Sequence, residues 1–296
     1  MAQVSKRNKI RRDRRFDIIS TLIGLVILIV TLYPLYFMLI ASISNPDLTN
    51  AGKVSLYPRG VTWEGYRALL HDGRTYLGYR NTVVYTAVGT FISVALTMTC
   101  GYSLSRPSFR GKRLINFFIM FTMIFSGGLV PTYLLIKSLN MIDKIWAIVL
   151  PGCVGVWNLI ITRTFLASNI PGELFESAQL DGCSHFRFFF SIVLPLSSVI
   201  IAVITLFYAV NQWNGFFNAL IYLYKPERYP LQLFLRQILI QQQQLQMDPD
   251  AVQDMRYSAN LVRYAMIIVA SLPIMCVYPF LQRYFVKGVM IGSVKG

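Results

Sequence analysis

The chain has 296 residues, of which 55% are hydrophobic and only 14% are charged. Soluble domains usually carry about a quarter charged residues, so this composition indicates a protein that is surrounded largely by lipid. The formal net charge is +15, which in a soluble protein would suggest nucleic-acid binding. Here the basic residues are concentrated beside apolar runs, as the positive-inside rule describes. We therefore expect membrane lipid around the chain and no nucleic-acid partner.

The N-terminal tail, residues 1–16, is strongly basic and precedes the first apolar run. A cleaved signal peptide is one interpretation of that pattern. However, the apolar run from Ile18 to Ile43 is longer than the roughly 7 to 15 residues of a signal-peptide core, and no clear A-x-A cleavage site follows it. We expect the run to be retained as the first membrane span, with the basic tail in the cytoplasm.

Six apolar segments are long enough to cross a bilayer as helices, which takes about 20 residues each. The predicted spans are residues 17–43, 80–104, 114–136, 145–167, 190–217 and 260–284. The expected fold class is an all-α integral membrane protein with six transmembrane helices, in one transmembrane domain over residues 17–286. An even number of spans places both termini on one side, which the basic tail identifies as the cytoplasm.

This orientation places two large loops outside the cell, residues 44–79 and 218–259. The first contains four basic and three acidic residues and the second four of each, and their near neutrality agrees with an outer location. In the second loop we expect a short amphipathic helix after Pro230. The Gln-rich stretch 241–246 is predicted to follow it either as a flexible exposed loop or as a docked partner surface.

The sequence lacks the chemistry that would let the chain work alone. No predicted span has a charged residue near its centre, although ion-coupled carriers usually need a titratable or coordinating group at membrane depth. Backbone coordination of sodium in a broken helix stays open. There is no G-x-x-x-x-G-K-[ST] loop for nucleotide phosphates, and the four cysteines form no CxxC pair. We expect no metal, no cofactor and no enzymatic activity in this chain, so energy must enter from a partner.

One predicted inner loop, residues 168–193, is acidic where basic charge is expected. Its acidic residues are Glu173, Glu176 and Asp181. Pro171 can begin a helix, and Gly182 can end it in a left-handed conformation. An interfacial helix lying on the membrane is the alternative, but such helices favour lysine and arginine on their polar face. The pattern therefore predicts a short cytoplasmic helix, a glycine bend, and then the next span.

The same loop resembles the signature of permease subunits of ATP-binding-cassette importers: EAA, three residues, G, nine residues, then I-x-LP. Glu176-Ser177-Ala178, Gly182 and Ile192-x-Leu194-Pro195 have those spacings, with Ser177 where alanine is usual. Six spans, the Trp213-Asn214 pair, the large second outer loop and the tail VKGVMIGSVKG are similar to the second permease of maltose-type carbohydrate importers. The tail and the overall length look closest to Gram-positive permeases for complex oligosaccharides, including those released from pectin.

The resemblance implies a type I importer permease whose short inner helix, the coupling helix, sits in a cleft of a partner ATPase. The residues that it assigns to coupling are Glu173, Glu176, Ser177, Ala178, Asp181, Gly182, Ile192, Leu194 and Pro195. The implied partners are a second permease in a heterodimer, two ATPase subunits that bind ATP and Mg²⁺, an extracellular solute-binding protein and an oligosaccharide. The C-terminal tail, residues 287–296, is expected in the cytoplasm, either docked on the ATPase or as a frayed terminus.

Contacts with a sugar would come from polar and aromatic side chains at membrane depth, which can stack on sugar rings and hydrogen-bond to hydroxyls. The substrate-path candidates are Tyr133, Trp157, Asn158, Asn211, Trp213, Asn214 and Asn218. Helix packing or an interfacial aromatic belt would explain each of them equally well. The predicted function is oligosaccharide import across the cell membrane by a multi-pass protein. The alternatives are a permease for amino acids or peptides, an ion-coupled carrier and a membrane enzyme.

Overall fold

The computed structural model describes residues 2–247, 257 and 259–276, and within these ranges the chain forms helices and turns with no β-strand. The helices are α1 (Ala2–Ser42), α2 (Pro46–Asn50), α3 (Glu64–His71), α4 (Gly73–Ser105), α5 (Lys112–Ile124), α6 (Leu129–Ser138), α7 (Trp146–Val149), α8 (Val156–Asn169), α9 (Gly172–Leu180), α10 (His185–Phe188), α11 (Leu194–Leu196), α12 (Ser198–Asn214), α13 (Phe217–Tyr222), α14 (Leu231–Met247) and α15 (Ala259–Cys276). A π-helical turn at Phe189–Val193 joins α10 to α11, and a 3₁₀ turn at Pro226–Arg228 precedes α14. The predicted C-terminal tail, residues 287–296, lies outside the described residues.

Among the described residues, three helices are long and apolar enough to cross a membrane without interruption: the Phe16–Ser42 part of α1, α4, and α15. Two bent pairs, α5 with α6 and the α10–α11 segment with α12, raise the number to five if each pair is one span. The predicted fourth span, 145–167, is divided between α7 and α8 by a turn at residues 150–155. Continuous helices over 114–136, 145–167 and 190–217 are therefore wrong, and six crossings stay a prediction.

The two bends have identifiable physical causes. Between α5 and α6 the helix axis turns by 116° at a Gly127-Gly128 pair, where Gly128 has φ of +81°, a conformation that costs little only for glycine. Between α11 and α12 the axis turns by 80°. That bend follows the π-helical turn and Pro195, whose ring removes a backbone donor and opposes a regular helix.

The described residues fall into two compact units: those up to residue 71 with those between 238 and 269, and residues 72–237 with 270–276. Within the first unit, α3 packs closely on α15, because a side chain at Gly65 would come within 2.5 Å of the Leu261 carbonyl oxygen. The turn after α1 is fixed by Asn45, whose side chain accepts a hydrogen bond of 2.9 Å from the Asp47 amide at the start of α2.

The second unit is built around α4, which packs against α8 and α12 through small residues. A Cβ at Gly89 would lie 2.7 Å from Gln212 Nε2, and one at Gly101 would lie 2.8 Å from Thr162 Cγ2. Small residues at such positions let helix backbones approach closely, which favours helix association in lipid. Tyr208 of α12 adds a polar link, since its hydroxyl is 2.7 Å from Thr97 Oγ1.

The two predicted outer loops contain more helix than the sequence indicates. Residues 73–79 belong to α4, and α2 and α3 lie in the remainder of the first loop. The helix expected after Pro230 is present and longer than predicted, because α14 continues to Met247. The Gln-rich stretch 241–246 is therefore helical, and its interpretation as a flexible loop is wrong.

Candidate functional site

The acidic segment at residues 171–195, predicted to be cytoplasmic, forms a short helix and a bend that we call the elbow. Its helix α9 begins at Gly172, directly after an extended Pro171 with φ of −58° and ψ of 152°. Glu173 lies in the first turn, where a carboxylate interacts favourably with the positive end of the helix dipole. The Ser177 hydroxyl donates to the Glu173 carbonyl at 2.9 Å, so it satisfies its hydrogen bond within the helix.

A glycine ends α9 in the way that the sequence predicts. Gly182 has φ of +73°, its amide donates to the Gln179 carbonyl at 3.0 Å, and the Cys183 amide donates to the Ala178 carbonyl at 2.9 Å. These two bonds form a Schellman motif, which satisfies carbonyl groups at the helix end and reverses the chain. The bend therefore holds α9 in a defined direction relative to α10.

The elbow has a buried face and an exposed face. Phe175 and Ala178 pack against the main hydrophobic cluster of the second unit. The exposed side chains on the opposite side include the three acidic residues Glu173, Glu176 and Asp181, and none of them forms an ion pair with a described residue. Two apolar side chains of the elbow are also exposed, Leu180 at 91% and Phe186 at 80%. Exposed apolar residues next to unpaired charge are typical of a surface that contacts another protein.

Arg106, at the end of α4, joins the elbow to the long helix. The side chain is buried, and its guanidinium carbon lies 4.6 Å from the ring centre of Tyr102, 5.2 Å from that of Phe188 and 5.4 Å from that of Phe175. A desolvated cation over aromatic rings is attracted by their negative faces, with an energy of about 2 kcal/mol or more. Since Tyr102 belongs to α4 and Phe175 to α9, the arginine is shared by both helices.

The rings around Arg106 also contact one another. Phe175 stacks on His185 with ring centres 4.6 Å apart, and it meets Phe188 edge-on at 5.0 Å. The ring centres of Phe189 and Tyr102 are 5.2 Å apart. We call Arg106 and these rings the arginine–aromatic cluster. Through the contacts of Phe175 with Arg106, His185 and Phe188, this cluster links α9 to the end of α4.

The second half of the motif, from Ile192 to Pro195, lies where the chain bends. Ile192 and Leu194 are half-buried against the hydrophobic cluster, and Pro195 is exposed. Ser197, two residues after Pro195, is buried at the bend itself. The motif therefore covers both the exposed helix and the hinge by which it enters α12.

Two of the seven substrate-path candidates line cavities of the described residues, Trp213 in one and Tyr133 in another. Trp213 is buried, its indole Nε1 donates to the Ala270 carbonyl at 2.9 Å, and its ring meets Tyr79 edge-on at 5.7 Å. Those contacts use its polar atom for helix packing. The others are exposed or half-buried on the isolated chain: Tyr133, Trp157, Asn158, Asn211, Asn214 and Asn218. Their role in substrate binding stays a prediction.

Sequence reasoning missed the part that Arg106 plays in this site. The charge pattern indicates it only as one of the inner basic residues that set orientation. A further signal exists in the aromatic run FRFFF at residues 186–190, since buried arginine often stacks on rings. Which arginine meets those rings depends on how α4 and α10 pack, and no local pattern contains that information.

Replacing Gly182 by valine tests the bend. A β-branched residue at φ of +73° is strained, and a left-handed conformation costs an ordinary residue about 1 to 2 kcal/mol. We expect a lower thermal unfolding midpoint in detergent and reduced transport activity. Gly172→Val is the matched control, because a side chain at that position has no neighbour within 4 Å and φ is not positive. Equal behaviour of the two variants would contradict a role for the bend.

The described geometry defines an all-helical protein with helices apolar enough to cross a membrane and an exposed acidic elbow packed onto the longest of the helices around it, α4. Residues 76–291 match the family model described as the binding-protein-dependent transport system inner membrane component. The chain belongs to this family, whose members are transport components and not enzymes. The importer-permease prediction made from the motif at residues 176–195 is thereby confirmed.

Individual relatives match over nearly the full length of the chain. The polygalacturonan/rhamnogalacturonan transport system permease protein YtcP of Bacillus subtilis is 37% identical over 286 residues, which cover 96% of this chain and all of that protein. Protein LplC of Bacillus subtilis is 36% identical over 296 residues, covering all of both. Among solved structures, a chain of a bacterial ABC transporter involved in the import of the acidic polysaccharide alginate superposes with a TM-score of 0.82. That match has 30% identity and covers 93% of this chain and 98% of the other.

Proposed function

We propose that this chain is the permease subunit of an ATP-driven importer that moves an oligosaccharide, derived from pectin or another polysaccharide, across the cell membrane. The single observation that carries the coupling part of this proposal is the elbow. Its exposed acids have no described partner within the chain, while its buried face is fixed to α4 through Arg106. The names of relatives that transport pectic polysaccharide or alginate support a complex sugar as the substrate class.

In the proposed mechanism, closure of the ATPase displaces the elbow, and this displacement moves α4 and α12. Glu176 pairs with a basic residue in the ATPase cleft, and Glu173 and Asp181 lie at the edge of the same contact. Ser177 and Ala178 permit close approach, and Gly182 sets the direction of α9. Closure of the ATPase shifts α9, and the arginine–aromatic cluster transmits the shift to the end of α4. Ile192, Leu194 and Pro195 transmit it to α12, so that a sugar-binding cavity between the two permeases opens alternately to the two sides of the membrane.

The remaining partners and the orientation belong to the same proposal. The chain pairs with a second permease, two ATPase subunits bind ATP and Mg²⁺, and an extracellular solute-binding protein delivers the sugar. Both termini lie in the cytoplasm, as do the tails at 1–16 and 287–296 and the elbow loop at 168–193. The permease domain covers residues 17–286, with loops 44–79 and 218–259 outside. This orientation follows from the basic residues at the N-terminus and between α4 and α5.

Reconstitution tests the proposal directly. Proteoliposomes that contain the assembled importer, with its binding protein on the outside, are expected to accumulate labelled oligosaccharide only when ATP is present inside. The panel includes amino acids and peptides, because the elbow motif is shared by importers of those solutes. Accumulation of an amino acid or peptide without any oligosaccharide would overturn the substrate class. Uptake driven by an ion gradient without ATP would overturn the coupling mechanism.

A further inference from the structure

A basic and aromatic cavity lies at the end of α6 that the proposed orientation places outside the cell. The cavity has a volume of about 710 Å³, within the usual range for small-ligand sites. Its wall is formed by Tyr133, Lys137, Asn140, Ile142, Lys144 and Tyr224. We propose that this cavity binds the carboxylate of an acidic sugar unit in the transported oligosaccharide, through Lys137 and Lys144, with the two tyrosines contacting the sugar. The inference rests on the proposed function and names its substrate class and a recognition site.

The charge in the cavity is available to a ligand. Lys137 and Lys144 are exposed, and neither forms an ion pair with a described residue. The nearby carboxylate, Asp143, is already occupied: it accepts hydrogen bonds from the amides of Tyr224 and Lys225 at 3.2 Å, and Arg228 Nη1 lies 3.0 Å from it. The cavity therefore has two positive charges without a local counter-ion, which favours an anionic ligand.

The two tyrosines provide what a sugar needs besides charge. The hydroxyl groups of Tyr133 and Tyr224 are 2.8 Å apart. The pair has two hydroxyl protons and uses one between its members, so one donor is left for a ligand hydroxyl. The pKa of Tyr224 is raised, first by its hydrogen bond with Tyr133. Tyr133 is held in place by stacking on buried Tyr222, with ring centres 6.2 Å apart.

The backbone around the cavity is fixed in uncommon conformations. Asn140 has φ of +52° and Asp143 has φ of +58°, and they are the non-glycine residues with positive φ in the described part of the chain. The first closes α6 with a Schellman motif, in which the Met141 amide donates to the Ile136 carbonyl at 3.1 Å. The second has its amide 2.8 Å from the Tyr222 carbonyl. Asparagine and aspartate adopt this conformation more readily than other non-glycine residues, so the two turns fix the backbone beside the cavity.

The test compares an acidic oligosaccharide with its neutral counterpart. Proteoliposomes of zwitterionic lipid containing the assembled importer are given trigalacturonate, or the same trimer after reduction of its carboxyl groups. For each of Lys137→Gln and Lys144→Gln we expect KM for the acid to rise roughly threefold, and roughly tenfold for the double variant, as for exposed ion pairs. KM for the neutral trimer should not change. Lys225→Gln is the matched control, since its side chain lies outside the cavity wall.

Each other outcome overturns a specific claim. Equal effects of the lysine variants on both trimers would overturn the inference and leave the proposed function standing. So would weaker docking of the binding protein whether or not it carries sugar, since the cavity would then contact protein. Import of the neutral trimer alone by the unaltered importer would also overturn it. Failure of the unaltered importer to take up any oligosaccharide would instead overturn the proposed function. Unchanged thermal unfolding midpoints of the variants establish that folding is intact.

Discussion

Replacement of Glu176 by lysine is expected to abolish ATP-driven uptake while leaving the chain folded. The side chain is exposed and forms no ion pair with a described residue, so its loss removes no stabilising contact within the permease. In the assembled importer its proposed partner is a basic residue in the ATPase cleft. Removing one member of a partly desolvated charge pair costs about 2 to 5 kcal/mol. A lysine there also adds repulsion, so the ATPase should separate from the permease or hydrolyse ATP without transport.

Two measurements and two control variants check this expectation. Co-purification of the ATPase with tagged permease reports assembly, and uptake into proteoliposomes reports coupling. Glu176→Gln removes the charge without reversing it and should have an intermediate effect. Glu173→Lys makes the same charge change one turn earlier on α9. It measures whether Glu176 alone or all three acidic residues of the elbow carry the contact. Normal uptake by the Glu176→Lys variant would contradict the coupling role of the elbow.

Local sequence patterns are sufficient to predict the elbow. A helix that begins after Pro171 and ends at Gly182 depends on the backbone preferences of neighbouring residues, and such preferences are readable from sequence. The all-helical class follows from long apolar runs, since in lipid the backbone must satisfy its own hydrogen bonds. The motif at residues 176–195 indicates the family because its spacing depends only on residues that are close together in the chain.

The errors and omissions have a common physical cause. A continuous apolar run does not record where a helix will break, so the predicted spans 114–136 and 190–217 missed the bends of 116° and 80°. The position of Arg106 among the aromatic rings, and the cavity whose wall contains Lys137 and Tyr224, depend on packing between segments that are distant in sequence. Tyr133 is recognisable as a substrate candidate, but its partner Tyr224 is 91 residues away, and hydropathy contains no information on that pairing.

Replacement of Arg106 by methionine is expected to disconnect the elbow from the spans. Methionine keeps much of the buried volume but removes the cation that lies over Tyr102, Phe175 and Phe188. The lost attraction is about 2 kcal/mol, the value for a desolvated cation–π contact. If the activation free energy of transport rises by that amount, the rate of transport falls by more than about tenfold. In the proposed complex the ATPase cleft contacts the exposed face of α9 and not Arg106, so binding of the ATPase to the permease should persist.

The informative quantity is the number of ATP molecules hydrolysed per sugar transported. We expect that ratio to rise in Arg106→Met, since hydrolysis continues while α4 no longer follows α9. Arg106→Lys keeps the charge but not the planar guanidinium. Its ratio of ATP hydrolysed to sugar transported should lie between that of Arg106→Met and that of the unaltered protein. Arg110→Met, an exposed arginine of the same loop, is the matched control. A proportional fall of hydrolysis and uptake would mean that Arg106 only stabilises the fold, whereas a raised ratio requires that the arginine–aromatic cluster carries motion from the elbow to α4.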